Sequence, residues 1–392
     1  MKVVRELGDQ ALLNFTQKFD KVLLDKVTHR IPKTEATIDS DLKKAIKLAY
    51  RNIERFHLSQ MEPHYEVETM TGLTCWRKAL PIERVGLYIP GGTAPLFSSL
   101  LMLGIPAKLA GCEQIVVCTP PQPDGGVHPA LIYTAQLLGI KEVYKVGGAQ
   151  AVAAMTYGTE SIPKVYKIFG PGNQYVTRAK QIAALEGIAI DFPAGPSEVA
   201  ILADQGADPS FVAADLLSQA EHGVDSQVVL VCNSEQLISE VLTCLEDQME
   251  SLPRKSIAKQ CLKQSKLLYF QDLKLAMSFL NQYAPEHLII NTEDPETWAK
   301  HVINAGSVFL GAYTPESLGD YASGTNHTLP TNGYARMYAG VSLDSYMKKV
   351  TFQKATVTGL KNVGPAVEIM AQAEGLTAHK QAVRIRLDAL KS

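Results

Sequence analysis

The stretch Arg84-Val-Gly-Leu-Tyr-Ile-Pro-Gly-Gly92 decides the fold class, because a short apolar run ends here in two adjacent glycines. Four similar apolar runs follow it, and segments with helical periodicity separate them. The predicted strands are 85–89, 115–119, 142–146, 165–169 and 188–191, and the predicted helices are 96–110, 129–138, 149–157 and 175–185. Strands that alternate with helices in this way predict a parallel sheet with helices on both faces.

A second alternating set follows the first and predicts a second α/β domain. Its predicted strands are 228–232, 266–270, 288–291 and 307–310, and its predicted helices are 211–222, 234–249 and 273–282. Apolar residues at three-to-four spacing predict helices over 3–19 and 42–56 as well. The chain from about residue 342 carries two more predicted helices, 363–374 and 377–390. Two helices in about 50 residues cannot bury a core alone, so we expect them to pack on another part of this chain or on a partner.

Composition and charge exclude several classes of partner. Hydrophobic residues make up 46% of the 392 residues and charged residues 20%, which are ordinary values for folded domains. The formal net charge is −2, so no net positive field exists to hold nucleic acid or an anionic membrane. The first residues do not resemble a secretory leader and no apolar run is long enough to span a bilayer, so we expect a cytoplasmic location. The cysteines form no CxxC pair, and we expect no disulfides.

Glycine recurs where predicted strands of the first set end. The glycine loops are 88–95, 146–150 and 169–173. Glycine lets backbone amides approach a ligand, and a helix N-terminus favours a negative charge such as pyrophosphate. Each loop alone is more readily explained as a tight turn, since no GxGxxG fingerprint is present. Three such loops on one sheet favour a nucleotide or sugar-phosphate site.

The segment Ser218-Gln-Ala-Glu-His-Gly223 holds two polar side chains that can bind one object. Gln219 and His222 are three residues apart near the end of a predicted helix, hence on one face, and Gly223 suits a left-handed cap. A neutral imidazole is the commonest zinc ligand, whereas an amide oxygen is a poor one. A capping or core role for this pair is therefore an equal alternative.

Glu286 and His287 stand directly before the predicted strand 288–291. A carboxylate and an imidazole at a strand edge can supply two proton-transfer groups to one cleft. Adjacent side chains of an extended strand point to opposite faces, however, and a solvated loop is an equal alternative.

The segment 319–327, which contains Asp320, is punctuated by glycines and too polar for a core, so we interpret it as a site loop. Glu374 and His379 flank the start of the last predicted helix, where an isolated histidine is more often a surface residue. Zinc motifs that can be recognised from sequence are local. Spacing alone therefore does not join Asp320 or His379 to His222 in one metal site.

Several blocks of the sequence, in the right order along the chain, match one known family. They are 85–92, 146–150, 169–173, 190–222, 285–287, 319–327 and 376–379. On these blocks the chain closely resembles the histidinol dehydrogenase family, the zinc- and NAD-dependent enzymes of the last two oxidations in histidine biosynthesis. The resemblance covers essentially the whole chain.

The resemblance implies an α/β fold of two incomplete Rossmann-like parallel-sheet domains plus a small helical C-terminal segment exchanged in a dimer. It places the first domain at 1–88 with 203–341, a second, NAD-binding domain at 89–202, and the exchanged segment at 342–392. The exchange supplies the body on which the thin C-terminal helices pack. Family members usually carry a further segment before the helix that begins here at Met1, in keeping with the missing N-cap of that helix.

The resemblance also implies the ligands of the metal and of the substrate. Zinc would be held by Gln219, His222 and Asp320 of one subunit and by His379 of the partner subunit, and histidinol would meet the same four residues. The residues that would join them around histidinol are Ser197, His287 and, again from the second subunit, Glu374. The NAD contacts would be Tyr88, Gln150 and Asn173.

The chemistry implied is the oxidation of L-histidinol through L-histidinal to L-histidine, with two molecules of NAD used in turn. Zinc would anchor the imidazole and amine of the substrate. His287 would take the hydroxyl proton, and Glu286 would activate the water that adds to the aldehyde. Two other classes stay open: a metal-dependent hydrolase that uses no nucleotide, and a non-catalytic protein that binds histidinol or histidine.

Overall fold

The computed structural model describes residues 1–91, 95–193 and 195–391. Gly92, from the first glycine loop, and Ala194, from the matched block 190–222, lie outside the described residues. All six cysteines are free thiols. Among the described residues, no helix combines the length and the apolar character that a membrane crossing requires.

The strands of the described residues fall into three sheets. In chain order they are β1 Thr28–Arg30, β2 Glu66–Met70, β3 Leu73–Pro81, β4 Arg84–Tyr88, β5 Gln114–Thr119, β6 Glu142–Lys145, β7 Lys167–Phe169, β8 Ala189–Ile190, β9 Glu198–Ala203, β10 Gln227–Cys232, β11 Lys266–Tyr269, β12 His287–Asn291, β13 Ser307–Leu310 and β14 Met347–Ala355.

The α-helices of the described residues mostly connect consecutive strands. In chain order they are α1 Lys2–Phe15, α2 Ser40–Leu58, α3 Phe97–Ala110, α4 Pro129–Leu138, α5 Gly148–Tyr157, α6 Gln174–Leu185, α7 Pro209–Ala220, α8 Glu235–Met249, α9 Lys255–Leu262, α10 Leu273–Tyr283, α11 Pro295–Ala299, α12 Glu316–Tyr321, α13 Val357–Ala373 and α14 Thr377–Ala389.

The first sheet has the strand order β1-β6-β5-β4-β7-β8. Strands β4 to β8 pair in parallel, and the short β1 pairs with β6 in the antiparallel sense. Apolar side chains of α1, α5 and α6 cover one face, among them Leu12, Val152 and Val176. Among the parallel strands, β4 comes first in the chain and lies in the middle. Strands β5 and β6 follow on one side of it, and β7 and β8 lie on the other side. The order therefore reverses at β4, which is where open α/β sheets form a ligand crevice.

The second sheet has the order β11-β10-β9-β12-β13, and all of its pairs are parallel. Side chains of β9 alternate between two cores: Val199 and Ile201 pack with α7 and α8, whereas Ala200 and Leu202 pack with α10. Both parallel sheets follow the order of the first five strands of a Rossmann fold, which confirms the predicted pair of incomplete Rossmann-like sheets. The predicted domain division and the exchange of the C-terminal segment stay predictions.

Residues 61–81 and 347–391 form a second compact unit, separate from the unit that contains residues 1–60 and 82–346. It contains the antiparallel sheet β14-β3-β2 and the helices α13 and α14. The two predicted C-terminal helices are present, but the sequence analysis missed β14, which precedes them and pairs along its whole length with β3. Most residues of β14 are at least partly exposed, so the strand lacks the apolar run by which the other strands were recognised.

Candidate active site

The candidate site begins where two central strands of the second sheet start. Glu198 is the first residue of β9 and His287 the first residue of the neighbouring β12. Glu286 Oε2 accepts a hydrogen bond of 2.9 Å from Glu198 N, and His287 Nδ1 lies 3.1 Å from Glu198 O. Glu286 and His287 are only 6% and 4% exposed, so they are not part of a solvated loop. Glu286 precedes the regular strand, and its carboxylate therefore reaches to 3.7 Å from His287 Nδ1 instead of pointing to the opposite face.

Helix α7 brings Gln219 and His222 to the same place. Gln219 lies in the last turn and is fully buried, whereas His222 follows the helix and is exposed. The partners of the Gln219 amide set its orientation: its nitrogen donates to both carboxylate oxygens of Glu316, and its oxygen accepts from Glu198 N at 3.1 Å. The helix begins and ends two residues earlier than the predicted 211–222. The predicted left-handed cap at Gly223 was wrong, since Gly223 is not among the glycines with positive φ.

Helix α12 adds two carboxylates from one turn. Glu316 and Asp320 are four residues apart, hence on one face, so the predicted site loop 319–327 starts inside a helix. His222, Glu316 and Asp320 each offer one ligand atom, and these atoms lie within 4.8 Å of one another. Asp320 Oδ1 also lies 3.5 Å from His287 Nε2. The structure thus brings Gln219, His222 and Asp320 together with the Glu286–His287 pair, although spacing could not join them.

Burial and mutual repulsion shape the charges of this cluster. Burial raises the pKa of Glu286 and of Glu316 to about 8, and that of Glu198 to about 7. Burial would lower the pKa of His287, but Glu286, Glu316 and Asp320 together raise it to about 10. Burial is the largest single influence on Asp320 and acts to raise its pKa, but His287, His327 and His222 together outweigh it, so the pKa is lowered.

The donor set fits a divalent cation. One imidazole and two carboxylates converge, and these are nitrogen and oxygen ligands that zinc accepts. Burial raises the pKa of the surrounding Glu286 and Glu316 carboxyl groups, and a bound cation would favour their charged forms. Glu316 was missed by the sequence reasoning. Its position four residues before Asp320 is the signal that could have revealed it, had the short helix been recognised.

The remaining predicted substrate residues lie in two parts of the molecule. Ser197 is half-buried directly before Glu198, and its backbone oxygen accepts a hydrogen bond of 3.0 Å from Gln227 N. Glu374 follows α13 and His379 lies in the first turn of α14, both exposed and both in the second compact unit. The contribution of these two residues to a site stays a prediction.

The predicted NAD residues lie near the carboxyl ends of strands in the first sheet. Tyr88 ends β4, and its hydroxyl accepts a hydrogen bond of 3.1 Å from Gly148 N at the start of α5. Gln150 is buried in the first turn of α5. Asn173 caps α6, where its Oδ1 accepts from Tyr175 N at 3.0 Å. The strand order reverses beside Tyr88, so this group of loops lies where the topology predicts a ligand crevice.

A histidine that the sequence reasoning did not assign connects the first sheet to the candidate site. His327 Nδ1 lies 2.9 Å from Asp320 O, and its Nε2 lies 3.1 Å from Ser99 Oγ in the first turn of α3. An imidazole bonded at both nitrogens is fixed in orientation. His327 therefore holds the Asp320 segment against the helix that follows β4.

A family model and the most similar curated relatives in the comparison name the same family. The model of the family "Histidinol dehydrogenase" matches residues 1–387. Histidinol dehydrogenase from Bacteroides thetaiotaomicron is 60% identical over 391 residues, which is 99% of this chain and 91% of that protein. The chloroplastic histidinol dehydrogenase of Arabidopsis thaliana is 52% identical over 98% of this chain and 83% of its own length.

A solved structure agrees with the fold as well. The crystal structure of histidinol dehydrogenase from Elizabethkingia anophelis superimposes with a TM-score of 0.96 at 56% identity. The match covers 100% of this chain and 91% of that one. This chain belongs to the histidinol dehydrogenase family.

Proposed function

We propose that this protein oxidises L-histidinol to L-histidine in two successive NAD-dependent steps, with L-histidinal as the intermediate. The observation that carries the proposal is the convergence of His222, Glu316 and Asp320 beside the buried Glu286–His287 pair. Family membership supports the substrate, and the glycine loops at the reversal of the first sheet support the nucleotide.

The metal site of this proposal uses Gln219, His222 and Asp320 together with His379 of the partner subunit. Zinc, when bound, supplies a Lewis-acidic anchor that orients the imidazole and amine nitrogens of histidinol. Glu316 accepts both hydrogen bonds of the Gln219 amide nitrogen, so the amide oxygen of Gln219 faces away from Glu316. Ser197 and the partner subunit's Glu374 complete the substrate contacts of the proposal.

His287 is the proposed proton acceptor in the alcohol step. Its Nδ1 contacts Glu198 O, which selects the tautomer with a proton on Nδ1 and leaves the lone pair on Nε2. Nε2 is buried and lies 3.5 Å from Asp320 Oδ1. A cation bound at Asp320 and Glu316 would offset two of the three carboxylates that raise the pKa of His287, and Nε2 would then be able to take the substrate hydroxyl proton. Tyr88, Gln150 and Asn173 would hold NAD in the crevice beside them, and NAD would supply the hydride acceptor for the carbon that carries this hydroxyl group. The carboxylates around His287 stabilise the imidazolium that forms.

Glu286 is the proposed base of the aldehyde step. Water must add to histidinal before a second hydride can leave, and the proton of that water needs an acceptor. Burial brings the pKa of Glu286 to about 8, close to neutral pH, where a group can both take and return a proton. Glu198 N holds the Glu286 Oε2 atom at 2.9 Å and so fixes the carboxyl group in the site.

The location and assembly of the protein are part of the same proposal. We place it in the cytoplasm as a homodimer with shared active sites, because the proposed zinc and histidinol ligands include two residues of the partner subunit. Neither nucleic acid nor a membrane has a role in the proposal.

The test is the amount of NADH formed per histidinol consumed, measured with and without a metal chelator. Two hydride transfers predict a ratio of about two, and chelation should abolish the reaction. Turnover of histidinol without NADH would favour a metal-dependent hydrolase instead. Binding of histidinol or histidine without turnover would favour a non-catalytic binding protein.

A further inference from the structure

We propose that the buried ion pair Lys180–Asp191 positions the nucleotide loop 170–173. The pair thereby sets the affinity of the protein for NAD without contacting NAD itself. The inference rests on the proposed function. Lys180 lies on α6 and Asp191 directly follows β8, so the pair joins the helix and the strand that follow this loop. Their side chains are 3% and 1% exposed, and Lys180 Nζ contacts Asp191 Oδ1 directly.

Both polar groups of the Gly170 backbone form hydrogen bonds with this ion pair. Asp191 Oδ2 accepts a hydrogen bond of 2.9 Å from Gly170 N, and Lys180 Nζ donates one of 2.9 Å to Gly170 O. Asp191 Oδ1 also accepts from Phe192 N at 2.8 Å. Charge-assisted hydrogen bonds of this kind are the stronger ones, so the pair fixes the direction of the chain at Gly170.

The loop needs such a restraint because its backbone is in an unusual conformation. Gly170 has a φ of +125°, and a Cβ atom at this position would overlap the carbonyl oxygen of Tyr88. A Cβ atom at Gly172 would likewise overlap Val176 in the first turn of α6. The loop is therefore compressed between the end of β4 and α6, and it leads within three residues to Asn173, a proposed NAD contact.

Stability alone does not account for the pair. Removing two charges from water is expensive, and apolar residues of similar volume in place of a buried ion pair are often neutral or stabilising. What an apolar replacement cannot supply is the pair of hydrogen bonds that hold the Gly170 peptide. Because the Gly170 peptide is buried, its geometry depends on these two hydrogen bonds.

The experiment compares the parent enzyme with the double variant Lys180→Met/Asp191→Leu, which leaves no unpaired buried charge. We expect the KM for NAD to rise about tenfold, with kcat at saturating NAD kept within about threefold. The KM for histidinol and the zinc content should stay close to the parent values, whereas the melting temperature should fall, because the buried Gly170 N–H and C=O and the Phe192 N–H lose their partners. The matched control removes the exposed ion pair Lys255–Glu250 in the same way, as Lys255→Met/Glu250→Leu, and should leave every value unchanged.

A KM for NAD within about twofold of the parent value in the folded double variant would overturn the inference. So would a parallel change in the KM for histidinol or in zinc content, because that result indicates general damage. If the double variant does not fold, amide exchange at Gly170 in the parent decides: slow exchange without NAD is expected, and fast exchange overturns the inference. A parent enzyme that does not reduce NAD would instead refute the proposed function, while the exchange measurement still tests the restraint.

Discussion

Glu316 accepts hydrogen bonds from the side-chain amide of Gln219, and so joins α12 to the last turn of α7. Glu316 is 1% exposed and Gln219 is fully buried, so neither side chain can form its hydrogen bonds with bulk water. The same carboxylate offers an atom to the group formed with His222 and Asp320. One buried acid therefore orients a proposed zinc ligand and lies beside the other candidate metal ligands.

Glu316→Gln should weaken zinc binding by roughly 10–100-fold, because the new amide cannot accept from Gln219 without turning its own N–H groups toward the metal ligands. The measurement is a competition titration with a chromophoric chelator. Glu296→Gln, on the exposed helix α11, is the matched control and should bind zinc like the parent. Equal zinc affinity of Glu316→Gln and the parent would show that this carboxylate has no part in the site.

Glu286→Gln should slow oxidation of histidinal more than oxidation of histidinol, by about 10²–10⁴-fold, since only the aldehyde step needs a base for water. The amide oxygen of the variant can still accept from Glu198 N, so the local structure is retained. Single-turnover rates with each substrate measure the two steps separately. Equal loss in both steps, or none, would remove the role given to Glu286.

Tyr88→Phe should raise the KM for NAD several-fold and lower the free energy of unfolding by about 1 kcal/mol. The change removes the acceptor of the Gly148 N–H and leaves the buried ring in place. NAD titration and denaturant unfolding measure the two effects, and Tyr269→Phe, at an exposed tyrosine, is the control. An unchanged KM for NAD would separate Tyr88 from the cofactor site.

Hybrid dimers test whether the sites are shared between subunits. A heterodimer of one Glu286→Gln subunit and one His379→Asn subunit has both changes in one site and an intact second site, if the C-terminal segments are exchanged. Differently tagged subunits allow the heterodimer to be purified, and it should recover about half of the parent activity. No recovery in verified heterodimers would contradict the exchange.

The sequence was sufficient for the five parallel strands of the first sheet and for four of the five strands of the second, but the central strand β9 and the third sheet were not predicted. Strand β12, around Leu288, is buried on both faces and forms a clear apolar run, whereas β9 was missed although it is equally buried. Strands β2 and β14 are mostly exposed, so their sequences carry no such pattern. The prediction that 319–327 is too polar for a core also failed in part, because Asn326 is buried and donates to Met102 O at 2.6 Å.

The candidate site could be predicted only through the family. His222 and Asp320 come from α7 and α12, and their convergence depends on packing that no local spacing records. Local reasoning left the Gln219–His222 and Glu286–His287 pairs undecided, and burial now excludes the solvated alternative for the second pair. Glu316 was absent from both the local reasoning and the resemblance, since its role arises from a single contact with Gln219.

The most direct test of the central claim is the position of the metal in zinc-loaded crystals, read from anomalous scattering at the zinc edge. We predict one site per subunit, with a metal about 2.0–2.2 Å from a His222 nitrogen and an Asp320 oxygen, and no peak in crystals of His222→Asn. A metal bound elsewhere, or full activity of a protein without any, would contradict the account.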